Sequence, residues 1–122
     1  MTLFLGIDLG TSAVKSLLVD ENGEVKASHS VEYPMLTPRP GWAEQHPDDW
    51  WNGTVRCVRE LMGKSGADPA SVAAIGLSGQ MHGSVFLDRD GNVIRPALLW
   101  CDQRTGAQCE AIDRIVGPSR LG

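Results

Sequence analysis

The sequence predicts a mixed α/β domain whose sheet opens with an antiparallel three-stranded meander, on three observations. Apolar residues alternate through a first strand-length segment, then recur in two more segments joined by short polar turns. After Pro47 the apolar spacing becomes helical. A compact apolar run over residues 72–77 follows. Three strands, a helix and a further strand belong to a layered α/β architecture.

Taken in order, Leu3, Leu5 and Ile7 alternate with Phe4, Gly6 and Asp8, a period of two that predicts the first strand. The turn Leu9-Gly10-Thr11-Ser12 leads to a second strand over 14–19. Asp20-Glu21-Asn22-Gly23 holds an Asn-Gly pair suited to a tight hairpin, and a third strand runs over 25–33. Pro34, Pro38 and Pro40 with Gly41 mark a surface loop or crossover. Pro47 suits a first helical turn, and Asp48 and Asp49 complement its positive dipole end. Trp51, Thr54, Val55, Val58, Leu61 and Met62 share one face of that helix, which Gly63 and Gly66 end. Trp42, Trp50 and Trp51 are expected to pack the helix and crossover.

The run 72–77 predicts a buried strand, and a short strand over 84–87 turns at Asp90-Gly91-Asn92 to return through Val93 and Ile94. Asp102 is placed to cap a last helix over 103–116, closed by Gly117. Residues 117–122 predict a loop leading onward.

Composition narrows the classes of function. At 42% hydrophobic and 21% charged, the chain is neither disordered nor fibrous. Its apolar runs are too short to span a bilayer, and Asp8 interrupts an amino terminus that lacks the basic start of a signal peptide. A net charge of −4 argues against nucleic-acid binding. Cys57, Cys101 and Cys109 lack metal-ligand or Cys-x-x-Cys spacing, so they predict reduced thiols in a cytoplasmic protein.

Asp8-Leu9-Gly10-Thr11-Ser12 ends a strand with a carboxylate and turns on a glycine and two hydroxyls. Such a turn lets backbone N–H groups approach an anion, while Asp8 would repel a phosphate unless a divalent cation lay between. Magnesium suits one carboxylate, several waters and substrate phosphates. Lys15 could add positive charge. The same residues equally fit an ordinary hairpin turn with local hydrogen bonds. The spacing is neither that of a Walker loop nor that of a dinucleotide loop.

In Gly79-Gln80-Met81-His82-Gly83, two glycines bracket two hydrogen-bonding side chains and an apolar one, a mix that suits a polyhydroxylated small molecule. Against that stands a structural histidine at a strand end. No second ligand lies near enough to make His82 a metal site. In Trp100-Cys101-Asp102-Gln103-Arg104 the indole offers a wall for a sugar, and Asp102 and Arg104 offer polar contacts. The alternative is a core tryptophan, a helix cap and a solvated arginine.

Together these strings resemble the amino-terminal part of the FGGY carbohydrate kinases, most closely the members that phosphorylate xylulose. The likeness spans nearly the whole chain: Gly6-Ile7-Asp8-Leu9-Gly10-Thr11-Ser12 with Lys15, Pro40-Gly41-Trp42-Ala43-Glu44-Gln45 before Trp50-Trp51, residues 75–83, and Leu98-Leu99-Trp100 with Asp102. The Gly-Gln-Met-His-Gly string separates this branch from glycerol- and gluconate-phosphorylating relatives. The resemblance implies a ribonuclease H-like, actin-like ATPase domain, with ATP in a cleft between two large domains. It implies Asp8 near magnesium and the transferring phosphoryl group. Gly10, Thr11, Ser12 and Lys15 would lie on the ATP phosphates, and Gln80, Met81, His82, Trp100 and Asp102 at the sugar. The implied product is D-xylulose 5-phosphate.

The family's members are several times longer, and no residue here matches their catalytic aspartate. The expectation is therefore that residues 1–122 form part of the first kinase domain, without the second domain, and are inactive alone. Other readings are a kinase for gluconate or another ketose, a non-catalytic sugar- or nucleotide-binding module, or a folding unit without a ligand. An uncovered edge would favour self-association, in the simplest case as a homodimer.

Overall fold

The structure, a computed structural model, describes residues 1–117 and Arg120; the remainder of the expected tail loop lies outside the described residues. Strands β1 (Leu3–Leu9), β2 (Ala13–Asp20) and β3 (Val25–Glu32) form the expected meander. β1 pairs antiparallel with β2, and β2 antiparallel with β3. After helix α1 (Pro47–Ser65), strand β5 (Val72–Gly79) returns parallel to β1, giving a mixed sheet in the order β3-β2-β1-β5. Two elements escaped the sequence: β4 (Glu44–Gln45) and β6 (Ala97–Leu98), which pair antiparallel in a separate two-stranded sheet. Helix α2 (Gly106–Val116) follows.

The meander's first turn is short because Gly10 N–H bonds back to the Ala13 carbonyl at 3.0 Å. The second uses Asp20, whose carboxylate accepts the N–H groups of Asn22 and Glu24, and Gly23 takes a φ of 84° that favours glycine.

Alternation decides which side chains meet α1. Leu3 and Leu5 of β1, Val14 and Leu18 of β2, and Val31 of β3 are buried. They form two clusters, one closed by Leu61 and the other by Tyr33 and Cys57. Each large aliphatic removed from water stabilises by about 1.5–3 kcal/mol. Gly53 lets the helix approach, because a Cβ there would lie 3.3 Å from the Tyr33 ring.

Several expectations need correction. Trp51 is 70% exposed, and Trp50 supplies the inward indole, because the buried helix face runs through Gly53, Cys57 and Leu61. Gly63 lies inside α1, and only Gly66, with left-handed backbone, ends it. The run 72–77 is a strand but not a buried one: Ile75 is 61% and Leu77 79% exposed. α1 lies mainly across β2 and β3 and leaves β5 uncovered at the sheet edge. The strands expected over 84–87 and 93–94 reduce to isolated bridges, Leu87↔Val93 between them and Ser84↔Leu98 to β6. There the Asp88 carboxylate takes the turn N–H groups of Asp90 and Asn92. The last helix begins three residues later than expected, with Thr105 before it, because the Asp102 carboxylate has other partners. No helix among the described residues is long and apolar enough to cross a membrane.

Candidate functional site

Parallel pairing brings the carboxyl ends of β1 and β5 side by side, the position at which open α/β sheets present ligand-binding groups. Asp8 and Ser78 are register partners there, and the Ser78 hydroxyl donates to Asp8 Oδ1 at 3.0 Å. Asp8 also pairs across β2 with Lys15. Gly6 and Gly76 carry no side chains, so these groups border an open concavity of about 390 Å³ on the sheet face away from α1. Asp8 and Lys15 are both exposed. One accessible carboxylate with a hydroxyl and an amine nearby fits a hydrated magnesium ion bridging to phosphate, not a caged metal. The described residues hold no cluster of three or more metal-ligating side chains.

Tyr33, just past β3, holds the Gly10-Thr11-Ser12 hairpin by two bonds. The Tyr33 hydroxyl donates to the Gly10 carbonyl, and the Tyr33 N–H donates to the Ser12 carbonyl at 3.2 Å. Burial, with the Asp8 charge adding to it, pushes the Tyr33 phenol up to about 12, so it remains a donor. Gly10 has little freedom to change, since a Cβ there would meet the Ala13 carbonyl oxygen at 3.0 Å. Ser12 is exposed at the tip.

Thr11 faces the second motif. Its hydroxyl donates to Gln80 Oε1 at 3.3 Å and accepts from Trp100 Nε1 at 3.0 Å. The Gln80 N–H donates to the Leu9 carbonyl at 2.8 Å, which fastens the loop after β5 to the end of β1. Met81 and His82 follow, both exposed, and His82 takes a φ of 66°, a left-handed conformation that costs a non-glycine residue about 1–2 kcal/mol. Two residues on, Ser84 bridges to Leu98. The structure thus brings Asp8, Thr11, Gln80 and Trp100 into one continuous patch, with Lys15, Ser12, Met81 and His82 on its rim.

Asp102 stands apart from this patch. Its side chain is almost wholly buried; it accepts the Ala43 N–H at 2.7 Å and is gripped by the Arg104 guanidinium at 2.7–3.0 Å. Arg104 is not solvated either: it stacks 3.6 Å over the Trp42 ring and reaches Glu44 at 3.5 Å. The geometry makes Asp102 a support of β4, with no oxygen free for a sugar hydroxyl. Gln45, Tyr33 and Ser78 were missed as contributors. Gln45 and Ser78 both stood inside strings that carry the resemblance, Gln45 as the last residue of Trp-Ala-Glu-Gln and Ser78 within residues 75–83, but neither was singled out.

The Arg104 guanidinium, then the Ala43 and Arg104 N–H groups, hold the Asp102 carboxyl well below the usual carboxylate range, against the opposing effect of burial. A depressed folded-state value contributes stability fully above the unfolded value of about 4, and loses it as pH falls through the folded value. Thermal midpoints between pH 6 and pH 2 should therefore fall below about pH 4. Asp102→Asn should start lower at pH 6 and fall less steeply. Parallel curves for the two proteins would remove Asp102 from the acid response.

Comparison with known proteins gives one consistent set of relatives. The model described as the amino-terminal domain of the FGGY family of carbohydrate kinases matches residues 3–121. Xylulose kinase of Bacillus subtilis is 47% identical over 109 residues, which is 89% of this chain and 22% of that protein. Among solved structures, the ligand-bound xylulose kinase of Lactobacillus acidophilus superposes with a TM-score of 0.90 at 27% identity, over 99% of this chain and 24% of that one. Gluconate kinase of the same organism gives 0.86 at 28% identity, over 98% and 24%. The chain spans about a quarter of the length of these relatives, and its sheet and helices are those of the actin-like ATPase fold.

Proposed function

Because the chain belongs to the FGGY family of carbohydrate kinases, we propose that it is the amino-terminal quarter of an ATP-dependent sugar kinase whose acceptor is D-xylulose. The observation that carries this is the junction of the two motifs: Thr11 of the hairpin bonds directly to Gln80 and Trp100. A phosphate bound at Gly10, Ser12 and Lys15 and a polyol bound at Gln80, Met81, His82 and Trp100 would then lie on adjacent surfaces. Such adjacency is what transfer between them requires.

In the proposed reaction the sugar's terminal hydroxyl oxygen attacks the γ-phosphorus and the bond to the β,γ-bridging oxygen breaks. ADP leaves, and the hydroxyl proton passes to a base supplied from outside these 122 residues. Magnesium, held through Asp8, would neutralise charge on the phosphates. The chain's own residues orient the two substrates. Trp100 and Met81 offer apolar surface to the sugar carbons, while Gln80 and His82 supply hydrogen bonds.

The gluconate kinase structure superposes almost as well as the xylulose kinase one, so the backbone alone does not choose the sugar. The choice of xylulose rests on Gly79-Gln80-Met81-His82-Gly83 and on the 47% identity to a xylulose kinase. A panel of ketoses, polyols and gluconate should be assayed with magnesium and ATP on the full-length gene product. D-xylulose should give the highest kcat/KM, and the 122-residue chain alone should release no ADP. Preference for gluconate would replace the substrate, and ADP release by the short chain would refute a base supplied from elsewhere.

A further inference from the structure

Gln45 is fully buried, yet all its side-chain hydrogen bonds leave its own two-residue strand. Nε2 donates to the Thr11 carbonyl at 2.5 Å, and Oε1 accepts from Trp50 Nε1 at 2.8 Å and from Gln80 Nε2 at 3.0 Å. The sense of these bonds is fixed by chemistry. An indole nitrogen only donates, so Trp50 requires the oxygen of Gln45. Gln80 must then offer its NH₂ to that oxygen and keep its own carbonyl for Thr11. Thr11 gives its single hydroxyl proton to Gln80, which leaves a lone pair for Trp100, the second donor-only group. Two indoles close the chain at its ends and set every bond between them.

The strand that carries Gln45 is itself clamped. Glu44 is held by Arg95 at 2.8 Å and Arg104 at 3.5 Å, and Asp102 holds the Ala43 N–H. No buried side-chain polar atom among the described residues lacks a partner, so the network has no slack group to absorb a change. Because the Thr11 proton is committed to Gln80, the hydroxyl left to meet a phosphate at the hairpin tip is that of Ser12.

We propose that Gln45 is a positioning residue that couples the Gly10-Thr11-Ser12 hairpin to Gln80 and Trp100, so that a ligand on either side shifts both. The names of the two ligands rest on the sugar-kinase reading; the coupling does not.

Hydrogen exchange of the four indole N–H groups in the ¹⁵N-labelled 122-residue chain tests it, with exposed Trp51 as the unprotected reference. Gln45→Met keeps the length of the side chain and removes its polar atoms. Exchange should quicken about fivefold or more at both Trp50 and Trp100, although Gln45 does not touch Trp100. Should Gln45→Met not fold, Trp100→Phe at the exposed end should still quicken Trp50 by about twofold or more. Unchanged exchange at the far indole in a folded variant overturns the coupling. In the full-length protein, Gln45→Met should raise KM for both ATP and sugar, and a change in kcat with both KM values intact would also overturn it. If the full-length wild type phosphorylates no sugar, the kinase reading fails while the indole result still decides the coupling.

Discussion

Replacing Asp8 with asparagine should lower the kcat of the proposed full-length sugar kinase by about 10²–10³-fold, with the KM for sugar little changed. The substitution is nearly isosteric, and an asparagine oxygen can still accept the Ser78 hydroxyl that now lies 3.0 Å from Oδ1. What disappears is the negative charge on an exposed group at the end of β1, opposite Lys15. In the proposed site that charge draws magnesium onto the phosphates, and a loss of this size corresponds to about 3–4 kcal/mol of transition-state stabilisation. Since Asp8 is exposed and takes no part in the core, the thermal midpoint should stay within a degree or two of the wild type. Steady-state kinetics at varied magnesium should show weaker activation by the metal. A kcat within about threefold of wild type would remove Asp8 from the metal and phosphate region.

The meander and α1 were legible in the sequence because local patterns specify them: alternation in β1, Asn-Gly in the second hairpin, Pro47 and Gly66 at the ends of the helix. β5 was legible as a strand, but its exposure was not. An apolar run records what a strand is suited to pack against, not whether a neighbour covers it. β4 and β6 were invisible because two-residue strands have no period, and their partners lie about fifty positions apart. Asp102 misled for a similar reason. An aspartate before a helical stretch suits a cap, but Arg104 two residues on and the Ala43 N–H, 59 positions away, compete for the same carboxylate. Of the candidate site, Asp8, Thr11, Gln80 and Trp100 could each be singled out from local strings and the fold brings them into one patch, whereas Gln45, the residue that joins Thr11 to Gln80, could not. Its partners Thr11 and Gln80 stand 34 and 35 positions away on opposite sides, a relation that only the folded sheet creates.

Leu18→Ala should destabilise the chain by about 3 kcal/mol, within the usual 2–5 kcal/mol for a buried leucine, and lower its thermal midpoint by about 10 °C. Leu18 is fully buried and shares a cluster with Leu3, Leu5 and Leu61, where the sheet meets α1. Because α1 makes its main contacts with β2 and β3, a cavity in β2 weakens the attachment of the helix as well as the sheet. Leu77→Ala provides the contrast. Leu77 is 79% exposed on β5, so in the 122-residue chain its truncation should change stability by less than about 0.5 kcal/mol. In the full-length protein a cost of about 2 kcal/mol or more at Leu77 would mean that other parts of the molecule cover this edge. Urea titrations of both variants in both lengths separate the cases. A large loss at Leu77 in the short chain would contradict the open edge, and a near-neutral Leu18→Ala would contradict a core built between β2 and α1.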